Sequence, residues 1–225
     1  MVLDKALISL CIPCMNRLHD LKRTMPFTIR EAKTMQGVEI CVVDYNSSDG
    51  LGEFIKGVDY PISYHRYEGR QYYHMAHGYN LAAKLSIGDY IVIMGADAII
   101  RNGYINALRE LIVQNCTWMR APHKKGIICI KRQEFMDAGG YDERFECYGG
   151  EDKDLEARLK RRGARLCLLP RHMVDTIITP NKDKLVNFRV DMSKKQMILH
   201  NKAIRDENDR LGVLVANEGV EWGKQ

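Results

Sequence analysis

The chain has 225 residues, 45% of them hydrophobic and 28% charged, and its 34 basic and 29 acidic side chains leave a net charge of +5. That length and balance fit one globular domain with a sizeable core, and no Pro/Gly/Ser-rich linker, repeat or low-complexity tract divides it. They exclude a fibrous or disordered protein, while the mild positive charge suits an anionic partner no better than an ordinary solvated surface.

The first fifteen residues form an apolar run broken by Asp4 and Lys5, too short and wrongly flanked for a signal peptide. No segment approaches the roughly 18 apolar residues of a membrane span, so a cytoplasmic protein is expected. A strand is predicted over 6–12, a helix over 18–35 disturbed at Pro26, and a strand over 38–43. Asp44-Tyr45-Asn46-Ser47-Ser48-Asp49-Gly50 then reads as a turn, because Asn, Asp and Ser side chains cap and bend the backbone. A strand over 62–67, a helix over 74–85 and a strand over 90–94 follow, the last running into Gly95-Ala96-Asp97-Ala98. The alternation predicts an α/β fold with a mostly parallel sheet. In such sheets ligands gather at the carboxyl ends of strands, where Asp44 and Asp97 both fall.

Beyond this point a helix is expected over 102–114, a strand over 126–131, and a short helix leading into Gly139-Gly140-Tyr141. A helix over 151–162 ends at Gly163, a strand follows over 165–169, and a polar tail reads as helix from Asp183 to about Arg205. Seven cysteines is an odd count. Cys11, Cys41, Cys129 and Cys167 lie in apolar runs, where a reduced thiol behaves as a small hydrophobe, so no disulfide framework is expected. Cys11-Ile12-Pro13-Cys14 has C-x-x-C spacing but no second pair to complete a zinc or redox motif.

Gly149-Gly150-Glu151-Asp152-Lys153-Asp154 is the sharpest feature. Two glycines let a ligand approach the backbone, and three acids follow at a helix start. Acids there complement the helix dipole, yet three in four positions exceed what a cap needs, so helix capping and a general base remain open together. Asp97 is either a ligand for a hard cation or a turn residue. His172, after Pro170 at a strand end, is either a metal ligand or a surface histidine. Asp44 either binds a ribose or base edge or closes an Asx-turn with the serines after it.

Taken together, the pieces resemble the glycosyltransferases of the GT-A fold. Ile12-Pro13-Cys14-Met15-Asn16-Arg17, Val43-Asp44-Tyr45-Asn46-Ser47-Ser48-Asp49-Gly50 and Asn80-Leu81-Ala82 are similar to the nucleotide-binding half of family-2-type enzymes. Gly139-Gly140-Tyr141-Asp142-Glu143-Arg144-Phe145 and Tyr148-Gly149-Gly150-Glu151-Asp152-Lys153-Asp154-Leu155, with Arg158-Leu159, are similar to the C-terminal segment of β-1,4-galactosyltransferases and polypeptide N-acetylgalactosaminyltransferases. The likeness spans about Ile8 to His172.

The resemblance implies a single Rossmann-like domain over 1–225, with a nucleotide-sugar half at 1–97, an acceptor and catalytic half at 98–180, and a helical tail at 181–225. It gives Pro13, Met15, Arg17, Asp44, Asn46, Asn80, Ala96 and Asp97 to the nucleotide sugar, and Tyr148, Gly149 and Gly150 to the acceptor. Asp152 becomes the base, Glu151 an acceptor or donor-sugar contact, and Asp154 a cap. The family's Asp-x-Asp falls on Gly95-Ala96-Asp97, which keeps only its second acid. The cofactor implied is Mn²⁺ (or Mg²⁺), held by Asp97, His172 and the diphosphate.

The reaction implied is inverting transfer of a sugar from a UDP-sugar to an acceptor hydroxyl. Two other readings stand beside it: a phage-type enzyme glycosylating modified DNA bases, and a catalytically silent nucleotide-sugar binder. Tyr72, Tyr73, His74 and Tyr148 are candidates for an aromatic platform under a sugar or base.

Overall fold

The predicted alternation folds into one seven-stranded sheet that runs through both halves of the chain. It is seen in a computed structural model that describes residues 7–146, 148–180, 183, 185–188 and 191–224. The elements in chain order are β1 (Ile8–Cys14), α1 (Leu18–Lys33), β2 (Val38–Tyr45), α2 (Leu51–Lys56), β3 (Ser63–Tyr67), α3 (Met75–Leu85), β4 (Tyr90–Ile93) and β5 (Ala98–Ile100). There follow α4 (Tyr104–Val113), β6 (Trp118–Arg120), β7 (Ile128–Lys131), α5 (Arg132–Asp137), α6 (Glu151–Arg161), β8 (Leu166–Leu168), β9 (Val174–Thr176) and α7 (Lys194–Leu211).

The sheet order is β3-β2-β1-β4-β7-β6-β8, parallel throughout except for β7, and β5 pairs with β9 in a separate two-stranded ribbon. Every residue of β1 is buried, as expected of a central strand covered on both faces. Ile8, Leu10, Ile12 and Cys14 pack one way, against Leu21 and Met25 of α1 and Leu108 and Ile112 of α4. Cys11 packs the other way, in a core with Ala82 of α3, Phe135 of α5 and Leu155 and Leu159 of α6. Cys11 and Cys14 therefore lie on opposite faces of one strand and cannot chelate or pair, and burial pushes both thiols up to about 12.

Several expectations shift on contact with the fold. Pro26 sits inside α1 without ending it. β2 runs on to Tyr45, two residues past the predicted end, because β3 pairs alongside it to Tyr67. The three-residue strands β5, β6 and β9 were not predicted, being too short to show a period. Cys116 and Cys167 form a disulfide across 51 residues, their Cα atoms 5.9 Å apart. This overturns the expectation that Cys167 is a free thiol. β6 pairs with β8, Met119 opposite Cys167, which brings Cys116, two residues ahead of β6, near the same strand.

The helix expected in the tail over 183–205 lies further along, at Lys194–Leu211. A capping box between Ser193 and Gln196 starts it, and Gly212, left-handed at φ 65°, ends it. Residues 184, 189 and 190 of that prediction lie outside the described residues. No helix among the described residues is long and apolar enough to cross a membrane.

Candidate active site

The strand order reverses between β1 and β4, the place where an open α/β sheet leaves a crevice at its carboxyl edge. β1 delivers Pro13, Met15 and Arg17 to that edge, and β4 delivers Gly95, Ala96 and Asp97. The turns are braced rather than loose. Ser47 and Ser48 lie against Asn16, with Asn16 N donating to Ser47 Oγ at 3.0 Å and Ser48 N to Asn16 Oδ1 at 2.8 Å. Asp49 Oδ2 accepts from Leu18 N at 2.8 Å at the start of α1. Thr24 of α1 donates to Ala96 O at 2.7 Å, fixing the Gly95-Ala96-Asp97 turn from below.

Opposite these turns stands the N-terminus of α6. Gly150, its cap, has φ 107°, a conformation that L side chains rarely adopt, and a Cβ there would also approach Phe145 to 3.3 Å. The glycine lets the chain turn sharply and point Glu151 and Asp152 into the opening. From below, Asp154 and Arg158 form a fully buried ion pair at 2.8 Å, and the guanidinium donates to Ala138 O at 2.6 Å and Gly140 O at 2.8 Å. α7 reinforces the arrangement: Asn208 donates to Asp154 Oδ1 at 2.7 Å, and Asn201 donates to Gly149 O at 2.7 Å. Asp154 is thus a strut tying α6 to the Gly139-Gly140 turn, not the simple cap expected of it.

Between these walls lies a cleft of about 350 Å³. Its lining includes Pro13, Met15, Arg17, Ala96, Asp97, Tyr148, Gly149, Gly150, Glu151 and Asp152, so ten of the expected residues converge there from three separate stretches of chain. Glu151 is buried, and its Oε2 has no hydrogen-bond partner. Burial, then the neighbouring Asp152 carboxylate, raises its pKa well above the usual carboxylate range. Burial also raises Asp152, with Glu156 adding to the effect while the Tyr141 hydroxyl and Lys125 oppose it. Two adjacent acids in one site titrate as a pair, and together they hold a proton to higher pH than an isolated carboxylate does.

The Tyr141 hydroxyl approaches Asp152 Oδ1 at 3.4 Å, and a Cβ on Gly126 would stand 3.1 Å from Asp152 Oδ2. A bare backbone at 126 therefore leaves the carboxylate room. A carboxylate in this position, once ionised, is chemically equipped to take a proton from a hydroxyl bound in the cleft.

Other expected residues stand elsewhere. Asp44 is fully buried, with Oδ1 accepting from Ser47 N at 2.8 Å and Oδ2 from the Tyr64 hydroxyl at 2.6 Å and Arg66 at 2.8 Å. The Asx-turn reading holds, and this acid braces β2 against β3 instead of lining the cleft. Asn46, left-handed at φ 54°, donates to Arg70 O at 3.2 Å. Asn80 is buried and clasps Tyr141, donating to its carbonyl and accepting from its N–H, both at 2.8 Å. Of the proposed aromatic platform, Tyr73 and Tyr148 line the cleft and both pack edge-on to Phe188, while Tyr72 is exposed and His74 caps α3.

The expected metal ligands do not come together. Thr176 pairs with Ala98 in the ribbon, and Ile177 N donates to Asp97 O at 2.9 Å, so apolar Ile177 stands beside Asp97. His172 lies four residues before Thr176, in an exposed helical turn ahead of β9 and off the cleft. Among the described residues no three His, Cys, Asp or Glu side chains could hold a metal ion. The donor set expected for Mn²⁺ is thus reduced to one carboxylate and does not fit the group.

Sequence reading missed several lining residues: Met75, Tyr79, Lys124, Lys125, Gly126, Thr176, Asn187 and Phe188. The pair Lys124-Lys125 before Gly126 was the visible signal, a charged turn preceding a buried strand. Asn187 had no signal at all. It reaches the site by donating to Met15 O at 2.7 Å and accepting from Asn16 Nδ2 at 3.1 Å.

The profile of Glycosyl transferase family 2 matches residues 9–128, the stretch that builds β1 to β4 and the turns at their carboxyl ends. The chain belongs to glycosyl transferase family 2. A second profile, N-terminal domain of galactosyltransferase, matches residues 117–181, which hold α6 and its two cleft-facing acids. Among solved structures, the mannosyltransferase PcManGT from Pyrobaculum calidifontis in complex with GDP-Man and Mn²⁺ superposes with TM-score 0.67 at 16% identity, covering 93% of this chain and 72% of that one. GalNAc-T7 with UDP, GalNAc and Mn²⁺ gives 0.71 at 17% identity, over 90% of this chain and 48% of the other. S. aureus TarS 1-349 in complex with UDP gives 0.63 at 12%, over 72% and 57%. At these identities the likeness establishes the fold, which is GT-A. No relative among the curated proteins matches the sequence.

Proposed function

We propose that this family-2 glycosyltransferase moves a sugar from a UDP-sugar to an acceptor hydroxyl with inversion, and that Asp152 is the base. The carrying observation is the convergence of Asp152 with Arg17 and Asp97 on one cleft at the strand-order switch. The nucleotide end of the donor lies along Pro13, Met15 and Arg17, beside Ala96 and Asp97. The acceptor enters past Tyr148, Gly149 and Gly150. Asp152 removes the acceptor proton as the oxygen attacks the anomeric carbon, a contribution of roughly a hundred- to ten-thousand-fold for a positioned base. Protonated Glu151 donates a hydrogen bond to a sugar hydroxyl from its unpartnered carboxyl end.

Structural neighbours bound to UDP support the choice of donor, although another is bound to GDP-Man. A panel of UDP- and GDP-sugars, each with EDTA or Mn²⁺ and scored by nucleotide release without acceptor, tests the reading. Release from a UDP-sugar is expected. Release from GDP-sugars alone would replace the donor, and UDP binding with no release from any sugar would leave a silent binder. Affinity for duplex DNA that falls with salt would instead favour a nucleic-acid acceptor.

A further inference from the structure

From the last residue of β9 onward the chain meets two cations, one on each side of the residue that touches Asp97: Lys124, and Arg17, whose guanidinium is already paired with the buried Asp20. Thr176 Oγ1 accepts from Lys124 Nζ at 2.7 Å, and Thr179 Oγ1 accepts from Arg17 at 3.0 Å. Between them, Ile177 is bonded to the Asp97 carbonyl. Lys124, Arg17, Asp97 and Thr176 all line the cleft. The ammonium of Lys124 thus sits at the end of the β5–β9 ribbon, on the same cleft as Asp97.

Among the described residues the carboxylate paired with Lys124 is Asp175 at 3.4 Å, whose side chain is 50% exposed, and ion pairs open to solvent on one side are weak. Lys124 itself is only 25% exposed, which keeps its charge effective inside the cleft. Its neighbour Lys125 is not equivalent. That side chain is 46% exposed and turned toward Glu156 at 3.4 Å, on the α6 side of the opening.

We propose that Lys124 supplies the positive charge on the donor's diphosphate, so that transfer does not depend on a divalent cation. The inference rests on the glycosyltransferase reading above and names a catalytic residue for it. In the step, the bond from the anomeric carbon to the β-phosphate oxygen breaks and its electron pair stays on that oxygen. The acceptor oxygen bonds to the anomeric carbon and its proton passes to Asp152. The departing nucleoside diphosphate gains one negative charge, which the Lys124 ammonium meets without giving up a proton. Fixed charge aimed at a leaving group commonly carries about a hundred- to a thousandfold in kcat.

The test measures UDP affinity by calorimetry and UDP-sugar turnover, each in EDTA and in Mn²⁺, on wild type, Lys124→Met and Lys124→Arg. Wild type is expected to bind UDP equally in both conditions and to keep at least about half its Mn²⁺ rate in EDTA. Lys124→Met should weaken UDP about tenfold and lower kcat about a hundredfold, with Lys124→Arg restoring most of both. Turnover abolished by EDTA and restored by Mn²⁺ would overturn the proposal, as would a Lys124→Met variant with wild-type affinity and rate. A protein that binds no UDP in either condition would fail the glycosyltransferase reading itself, and Lys124 with it.

Discussion

The first turn of α6 carries three acids, and its two faces treat them oppositely. On the inner face Asp154 is fully satisfied by Arg158 and Asn208, and the guanidinium passes the restraint on to the carbonyls of Ala138 and Gly140. On the cleft face Glu151 keeps an unpartnered oxygen, and the pKa values of Glu151 and Asp152 are both raised by burial. A folded protein spends its hydrogen bonds where only stability is needed and leaves groups unmatched where a ligand will complete them. The inner face holds the geometry that lets the outer face react.

That division can be broken one face at a time. The largest effect is expected from Asp152→Asn, which should cost transfer about a hundred- to ten-thousand-fold while UDP affinity stays within about twofold, measured by sugar transfer and calorimetry. Wild-type turnover in this variant would remove Asp152 from the base role. On the inner face, Arg158→Met leaves Asp154 charged and buried without its partner and should destabilise the fold by about 3–5 kcal/mol in urea unfolding. A change near zero there would mean that the strut is ornamental.

Away from α6, reduction of the Cys116–Cys167 disulfide releases a 51-residue loop in the unfolded chain and should lower unfolding free energy by about 2–4 kcal/mol, read with and without dithiothreitol. The smallest effect concerns pH. Asp152 must be ionised to act, and its pKa is raised above the ordinary aspartate value of 3.8, so kcat/KM should fall as pH drops through that raised value.

Glu151→Gln should keep this acid limb and change kcat less than about threefold, since a neutral amide also donates. Glu151 has a raised pKa in the fold, so the native state holds its proton more tightly than the unfolded chain does. The resulting stability is present below 4.5, the ordinary glutamate value, and is lost as pH rises through the raised one. The same substitution should flatten that loss in a pH series of thermal melts.

Much of this was legible in the chain. Asp97 could be placed because strand ends in a parallel sheet share one edge, and Pro13, Met15 and Arg17 through the resemblance to the nucleotide-binding half of family-2-type enzymes. At Gly149 to Asp152 the paired glycines before acids left capping and catalysis even, and the resemblance to the galactosyltransferase-type segment decided for the cleft and added Tyr148. Asp44, Asn46 and Asn80 were misplaced for a common reason. A polar residue at a turn looks the same whether its partner is a ligand or a neighbouring loop, and here Arg66, Arg70 and Tyr141 supply the partners. His172 was misplaced because the β5–β9 register, set by two three-residue strands, decides which residue lies beside Asp97.

Sequence alone therefore determined the α/β class, the carboxyl-edge location of the cleft and the acids that open α6, since these follow from local periodicity and backbone chemistry. Tertiary structure decided which acids face inward, that Lys124 and Thr176 line the same cleft as Asp97, that Cys116 meets Cys167, and that α7 buttresses α6. Each of those depends on strand register or long-range packing, in which residues far apart along the chain settle each other's partners.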